Sequence, residues 1–144
     1  MTTTARFRPV LLALLFTLPC GACASGREPL YPVSGQVFYE GKPVEGATIV
    51  LHPLNSAEAN APTARGRTDS EGSFTLGTYA AGDGAPAGEY GVAIIWIPAD
   101  AKRNPKTGSM PNRLPDRYAR PETSKLTATV QSGPTELPPF RLTK

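Results

Sequence analysis

The chain has 144 residues, with 15 Lys+Arg against 12 Asp+Glu, 16 prolines, 14 glycines and two cysteines. That length holds one domain of ordinary size and not two. Both cysteines fall within the first 23 residues, which excludes a disulfide framework in the remainder, and the prolines and glycines exclude a long helical domain.

The first 22 residues read as a secretory leader. Arg6 and Arg8 supply a positive start, Val10 to Leu18 is an almost unbroken apolar run, and small residues follow in Cys20-Gly21-Ala22-Cys23-Ala24-Ser25-Gly26. The run is too short to span a hydrocarbon core about 30 Å thick, which takes about 20 residues of helix. Two processing outcomes follow from the same residues. Cys23 comes after Gly21 and Ala22 and suits diacylation as a new N-terminus; Cys20, after Leu18-Pro19, suits it less well. Ordinary cleavage at Ala22-Cys23-Ala24, an A-x-A site, releases the chain instead. Acyl chains at about 0.8 kcal/mol per buried CH₂ hold a protein on a membrane almost permanently. Losing Arg6 and Arg8 with the leader leaves 13 Lys+Arg against 12 Asp+Glu, a balance of +1 that gives no reason to expect a nucleic-acid partner.

Residues 23–32 form a tether, and 33–144 a domain of short β-rich runs bounded by turn residues. In the first run, Val33, Val37 and Tyr39 share a face, with Gly35 between them. Glu40-Gly41-Lys42-Pro43 is a tight turn. In the run that begins at Gly46, Ala47, Ile49 and Leu51 alternate with Thr48, Val50 and His52, and the two runs read as a hairpin-like pair. Residues 53–64 form an exposed loop, and Arg65-Gly66-Arg67-Thr68 a polar edge strand. Asp69-Ser70-Glu71-Gly72 is a turn that aims Phe74 and Leu76 inward. Glu89 to Ile97 is the most apolar run and belongs at the centre of a sheet. Leu126, Ala128 and Val130 alternate with Thr127 and Thr129, and Phe140 and Leu142 flank Arg141. These periods predict an all-β fold of about seven strands, an antiparallel sandwich.

Residues 98–121 break the pattern with five prolines and few apolar side chains. A long connection of this kind is functional or solvated. Lys102, Arg103, Lys106, Arg113, Arg117 and Arg120 against Asp100 and Asp116 give it a local charge of +4. Such a loop suits anionic headgroups or acidic wall polymers. Trp96 and Tyr118 flank it, and aromatics there suit stacking on sugar rings, although Trp96 alternates with the core positions Val92 and Ile94.

The order of turns resembles the carboxypeptidase regulatory-like family, a transthyretin-like seven-stranded β-sandwich. The residues that carry it are Val33-Ser34-Gly35-x-Val37, Gly41-Lys42-Pro43-Val44-x-Gly46-Ala47, Thr68-Asp69-x-x-Gly72-x-Phe74 and Gly88-Glu89-Tyr90-x-Val92. Gly82-Asp83-Gly84-Ala85-Pro86 and Leu114-Pro115-x-x-Tyr118 are similar to short bacterial lipoproteins made of one such domain. The resemblance covers residues 33–142 and implies regulatory, adhesive or assembly roles more than catalysis. Fold by itself implies none of them. Tyr90 is expected to bury its ring and bond its hydroxyl to loop backbone.

Transthyretin-like proteins that hydrolyse 5-hydroxyisourate use clustered histidines and an arginine with a Tyr-Arg-Gly-Ser ending. This chain has one histidine, His52, and ends Arg141-Leu142-Thr143-Lys144. No cysteine follows Cys23, no Gly-x-Ser-x-Gly elbow occurs, and the serines have no evident base beside them. Asp69 and Glu71 are too few for calcium, which gathers six to eight oxygens, and no zinc spacing is present. The sequence therefore predicts a non-enzymatic module of the cell envelope without metal or cofactor, held by a lipid anchor and meeting an envelope protein or glycan. A carbohydrate-binding module is the alternative, and a small hydrolase a more distant one.

Overall fold

The computed structural model describes Met1, residues 27–55 and residues 62–144. The expected leader beyond Met1, both cysteines and most of the loop before Thr63 lie outside the described residues. Among the described residues eleven strands run in chain order: β1 (Leu30–Tyr31), β2 (Val33–Tyr39), β3 (Lys42–Pro43), β4 (Thr48–Pro53), β5 (Ala64–Arg67) and β6 (Ser73–Thr75), then β7 (Ala85–Pro86), β8 (Gly88–Ile95), β9 (Thr127–Val130), β10 (Thr135–Glu136) and β11 (Phe140–Leu142). A 3-10 turn at Asp116–Ala119 and one helical turn, α1, at Pro121–Ser124 precede β9. The seven predicted runs correspond to β2, β4, β5, β6, β8, β9 and β11; the other four strands are two-residue pairings.

The strands form a β-sandwich. One sheet has the order β5-β4-β8-β9 and is antiparallel throughout. The other is built around β2, with β6 and β3 antiparallel on one side and β10 and β11 parallel on the other. Alternation buries one face of each strand. Ala47, Ile49 and Leu51 are fully buried from the first sheet, and Val33, Val37, Phe74 and Leu142 meet them from the second. β8 is central and apolar, with Val92 and Ile94 fully buried.

The predicted hairpin between residues 33–39 and 46–52 is corrected. Glu40 (φ 51°) and Gly41 (φ 78°) form a two-residue turn of the kind that suits the twist of paired strands, and it returns the chain into β3 alone. Pro43 has no amide to continue a ladder, and Gly46 (φ 77°) then turns the chain into β4 on the opposite sheet. On the β5–β6 flank the two sheets are stitched by a reciprocal bridge, in which Arg65 and Gly77 exchange amide-to-carbonyl bonds of 2.8 Å.

The sandwich has two distinct ends. β2 and β8 both run away from β1, which pairs with β7 just before β8 begins. The chain therefore enters at the same end as the 78–84 turn, residues 131–134 and Leu54, whose amide bonds to the Glu89 carbonyl at 2.9 Å. Tyr90 is buried here and donates to the Pro86 carbonyl at 2.7 Å, as expected. Burial, then the charge of Glu28, pushes its phenol pKa up. At the other end Tyr39 meets Trp96 edge-on, with centroids 6.4 Å apart, and the 98–121 segment leaves β8. β8 has eight residues, so the ends stand about 25 Å apart at about 3.3 Å per residue.

Candidate functional site

The 98–121 segment divides into an exposed excursion and a buried return. Its tip is fastened by Asn104, whose Oδ1 accepts the Lys106 amide at 2.9 Å and whose carbonyl accepts the Gly108 amide at 2.8 Å. Arg103 donates to the Gly108 carbonyl. Lys102, Arg103 and Lys106 stand exposed on this excursion. Its foot is pinned to the end of β8: the Arg113 amide bonds to the Trp96 carbonyl at 2.9 Å, and Asn112 Oδ1 accepts the amides of Trp96 (2.9 Å) and Leu114 (3.1 Å).

Trp96 is half-buried against the core. The Arg113 guanidinium lies 5.2 Å from its ring centroid, a cation–π contact that holds an otherwise long and mobile side chain. Around the pair opens a cleft of about 450 Å³, lined also by Glu45, Arg67, Thr68 and Asp100. Glu45 and Arg67 had no signal in the sequence. The turn at Gly46 and the end of β5 bring them there, with Gly46 close against the Arg67 guanidinium.

The other predicted contact residues are placed differently. Tyr118 was expected beside the loop as an available aromatic, but it is only 6% exposed and belongs with Leu114 to the core. Its hydroxyl accepts the Thr143 amide at 3.2 Å and so ties the return segment to the residue after β11. Burial works to raise the Tyr118 phenol pKa, but bonding to Thr143 and the adjacent Arg117 charge outweigh it and hold the pKa below its usual value. Arg117 lies 4.7 Å over the Tyr118 ring and donates to the Thr143 and Lys144 carbonyls, both at 2.7 Å, so it fastens the end of the chain. Arg120 is exposed just before α1. The structure thus brings together Trp96 and Arg113, sets Lys102, Arg103 and Lys106 on the neighbouring excursion, and gives Arg117 and Tyr118 to packing.

His52 is half-buried on β4, in register with Gly91 of β8. Asp69 Oδ1 accepts the amides of Glu71 and Ser73, both at 2.9 Å, which makes it the cap of its own turn. Among the described residues no group of three or more His, Cys, Asp or Glu side chains converges to hold a metal, and no helix is long and apolar enough to cross a membrane.

Fold and surface together define a β-sandwich module with a cleft and a basic excursion at one end. No family model matches the chain, and no curated protein matches it. Among solved structures it is similar to part of a 9R-lipoxygenase from Cyanothece PCC8801, with a TM-score of 0.40 and 13% identity over 79% of this chain and 16% of that one. A DUF3823 family protein from Parabacteroides merdae is similar at a TM-score of 0.39 and 15% identity, over 81% of this chain and 46% of that one. The dioxygenase domain of a dioxygenase carbohydrate-binding protein fusion from Streptomyces sp. SirexAA-E is similar at a TM-score of 0.35 and 20% identity, over 84% of this chain and 82% of that one.

Proposed function

We propose that this chain is an exported, membrane-tethered module of the cell envelope, related to carboxypeptidase regulatory-like domains, that acts by contact and not by catalysis. The supporting observation is the opposition of its two ends. The chain enters at β1, and the Trp96–Arg113 cleft and basic excursion lie at the far end of β2 and β8. An anchor at Cys23 leaves that far surface free to meet an envelope partner. The six residues between Cys23 and Leu30 give a reach of about 25 Å at full extension. Bringing the basic excursion onto the same bilayer needs the tether stretched along the length of the domain. The partner is accordingly an acidic protein or polymer beyond the membrane surface and not the headgroups beside the anchor.

Cys23→Ser is the test. The unsubstituted protein fractionates with membranes and carries the mass of acyl chains on a mature N-terminus at Cys23, whereas the variant is released. Retention of the variant in the membrane fraction would defeat the anchor.

A carbohydrate-binding role has one observation in its favour: the cleft sets Glu45, Asp100, Arg67 and Arg113 around a partly exposed indole. On that reading a glycan array finds a ligand whose binding is lost in Trp96→Ala while the circular-dichroism spectrum is unchanged. Absence of binding to every glycan removes it.

A further inference from the structure

The end at which the chain enters has a surface of its own. Of the large apolar side chains described beyond Met1, two stand more than half exposed, Leu54 at 54% and Tyr79 at 51%, and both lie at this end. Tyr79 sits on the 78–84 turn, which Asp83 organises: its carboxylate accepts the amides of Thr78 (2.6 Å), Tyr79 (3.1 Å) and Ala80 (2.8 Å). The Thr78 hydroxyl closes the turn onto the Gly84 carbonyl at 2.7 Å. The backbone that carries the exposed phenol is therefore fixed by its own turn. The Arg27 guanidinium lies 4.8 Å from the Tyr79 ring centroid, so the last stretch of tether packs on this aromatic.

We infer that this end is a bilayer-contact face: Tyr79, Arg27 and Leu54 rest in the headgroup layer of the membrane that holds the anchor. The inference rests on the proposed lipidation of Cys23. Arg27 follows Cys23 by four residues, so an acylated cysteine keeps Arg27, and the Tyr79 ring it packs on, within reach of the headgroups, about 14 Å at full extension. Tyrosine, with an apolar ring and a polar tip, is enriched at that depth, and arginine reaches phosphates from it. Glu28, Asp83 and Glu89 lie at the same end and offset the charge of Arg27, so contact is driven by the aromatic and aliphatic groups and needs no anionic lipid. Bilayer contact here fixes the domain upright, with the basic excursion farthest from the membrane.

Trp96, the one tryptophan of the chain, marks the opposite end and makes the inference measurable. The full-length protein is processed in cells, purified from membranes, weighed intact and reconstituted into phosphatidylcholine vesicles, with and without brominated acyl chains. Trp96 emission stays insensitive to bromine. In Tyr79→Trp and Leu54→Trp, each combined with Trp96→Phe, emission shifts to the blue and bromine quenches it several-fold more than it quenches Trp96. Should Trp96→Phe disturb the fold, the single substitutions made with Trp96 retained read the same quenching as an increment. An acylated protein whose residues 54 and 79 are unquenched, or whose Trp96 is quenched as strongly as they are, overturns the bilayer face and leaves the anchor standing. A protein without acyl mass overturns the anchor, and the bilayer face with it.

Discussion

Phe74→Ala lowers the stability of the domain by about 3–5 kcal/mol, the cost of deleting a fully packed ring from a core that closes only in part around the cavity. The ring is 4% exposed and stacks on Phe140, with centroids 6.2 Å apart and planes 12° from parallel. It also fills the space that Gly35 leaves open on β2, since a Cβ at position 35 stands only 2.7 Å from the Phe74 Cζ. Phe74 thus serves at once as the inward residue of β6 and as the missing side chain of its neighbour. Urea unfolding of the domain measures the effect, and a change under about 1 kcal/mol overturns this account of the core.

Gly84→Ala is the second large effect, and its origin is the backbone. Gly84 has φ +95°, outside the range an L-residue adopts without strain, and a Cβ there runs into the Tyr31 carbonyl of β1. Left-handed strain alone costs about 1–3 kcal/mol, and β1 can relieve the collision only by leaving β7. The expected result is a loss of about 2–4 kcal/mol, with amide exchange accelerated first at Tyr31, which pairs with Ala85 of β7. A variant with undiminished stability and unchanged exchange at Tyr31 contradicts it.

Much of this architecture could be read from alternation. The two-residue period of Ala47, Ile49 and Leu51 marks a strand with one dry face, and Leu126, Ala128 and Val130 mark another, because burial on a pleated strand follows that period. Period says nothing of which sheet a strand joins. The 33–39 and 46–52 runs look like hairpin partners until Gly46, a single left-handed glycine, sends the second across the sandwich.

The surface was legible only where its residues are neighbours in the chain. Trp96 and the excursion that carries Lys102, Arg103 and Lys106 could be singled out, whereas Glu45 and Arg67 enter the cleft through pairings that link distant segments. The burial of Tyr118 is not legible from composition, because the polar loop around it hides a short apolar turn. Its signal is Leu114, four residues earlier and also buried.

The parallel pairing of β2 has a consequence for how the molecule comes into being. β2 is among the first strands to be synthesised, yet its partners β10 and β11 lie about a hundred residues downstream, the kind of non-local contact that slows folding. Until they arrive, Val33 and Val37 sit beside an open hydrogen-bonding edge that invites misassociation. The central strand of this sheet cannot be locked in place before nearly the whole length of the chain is available to it.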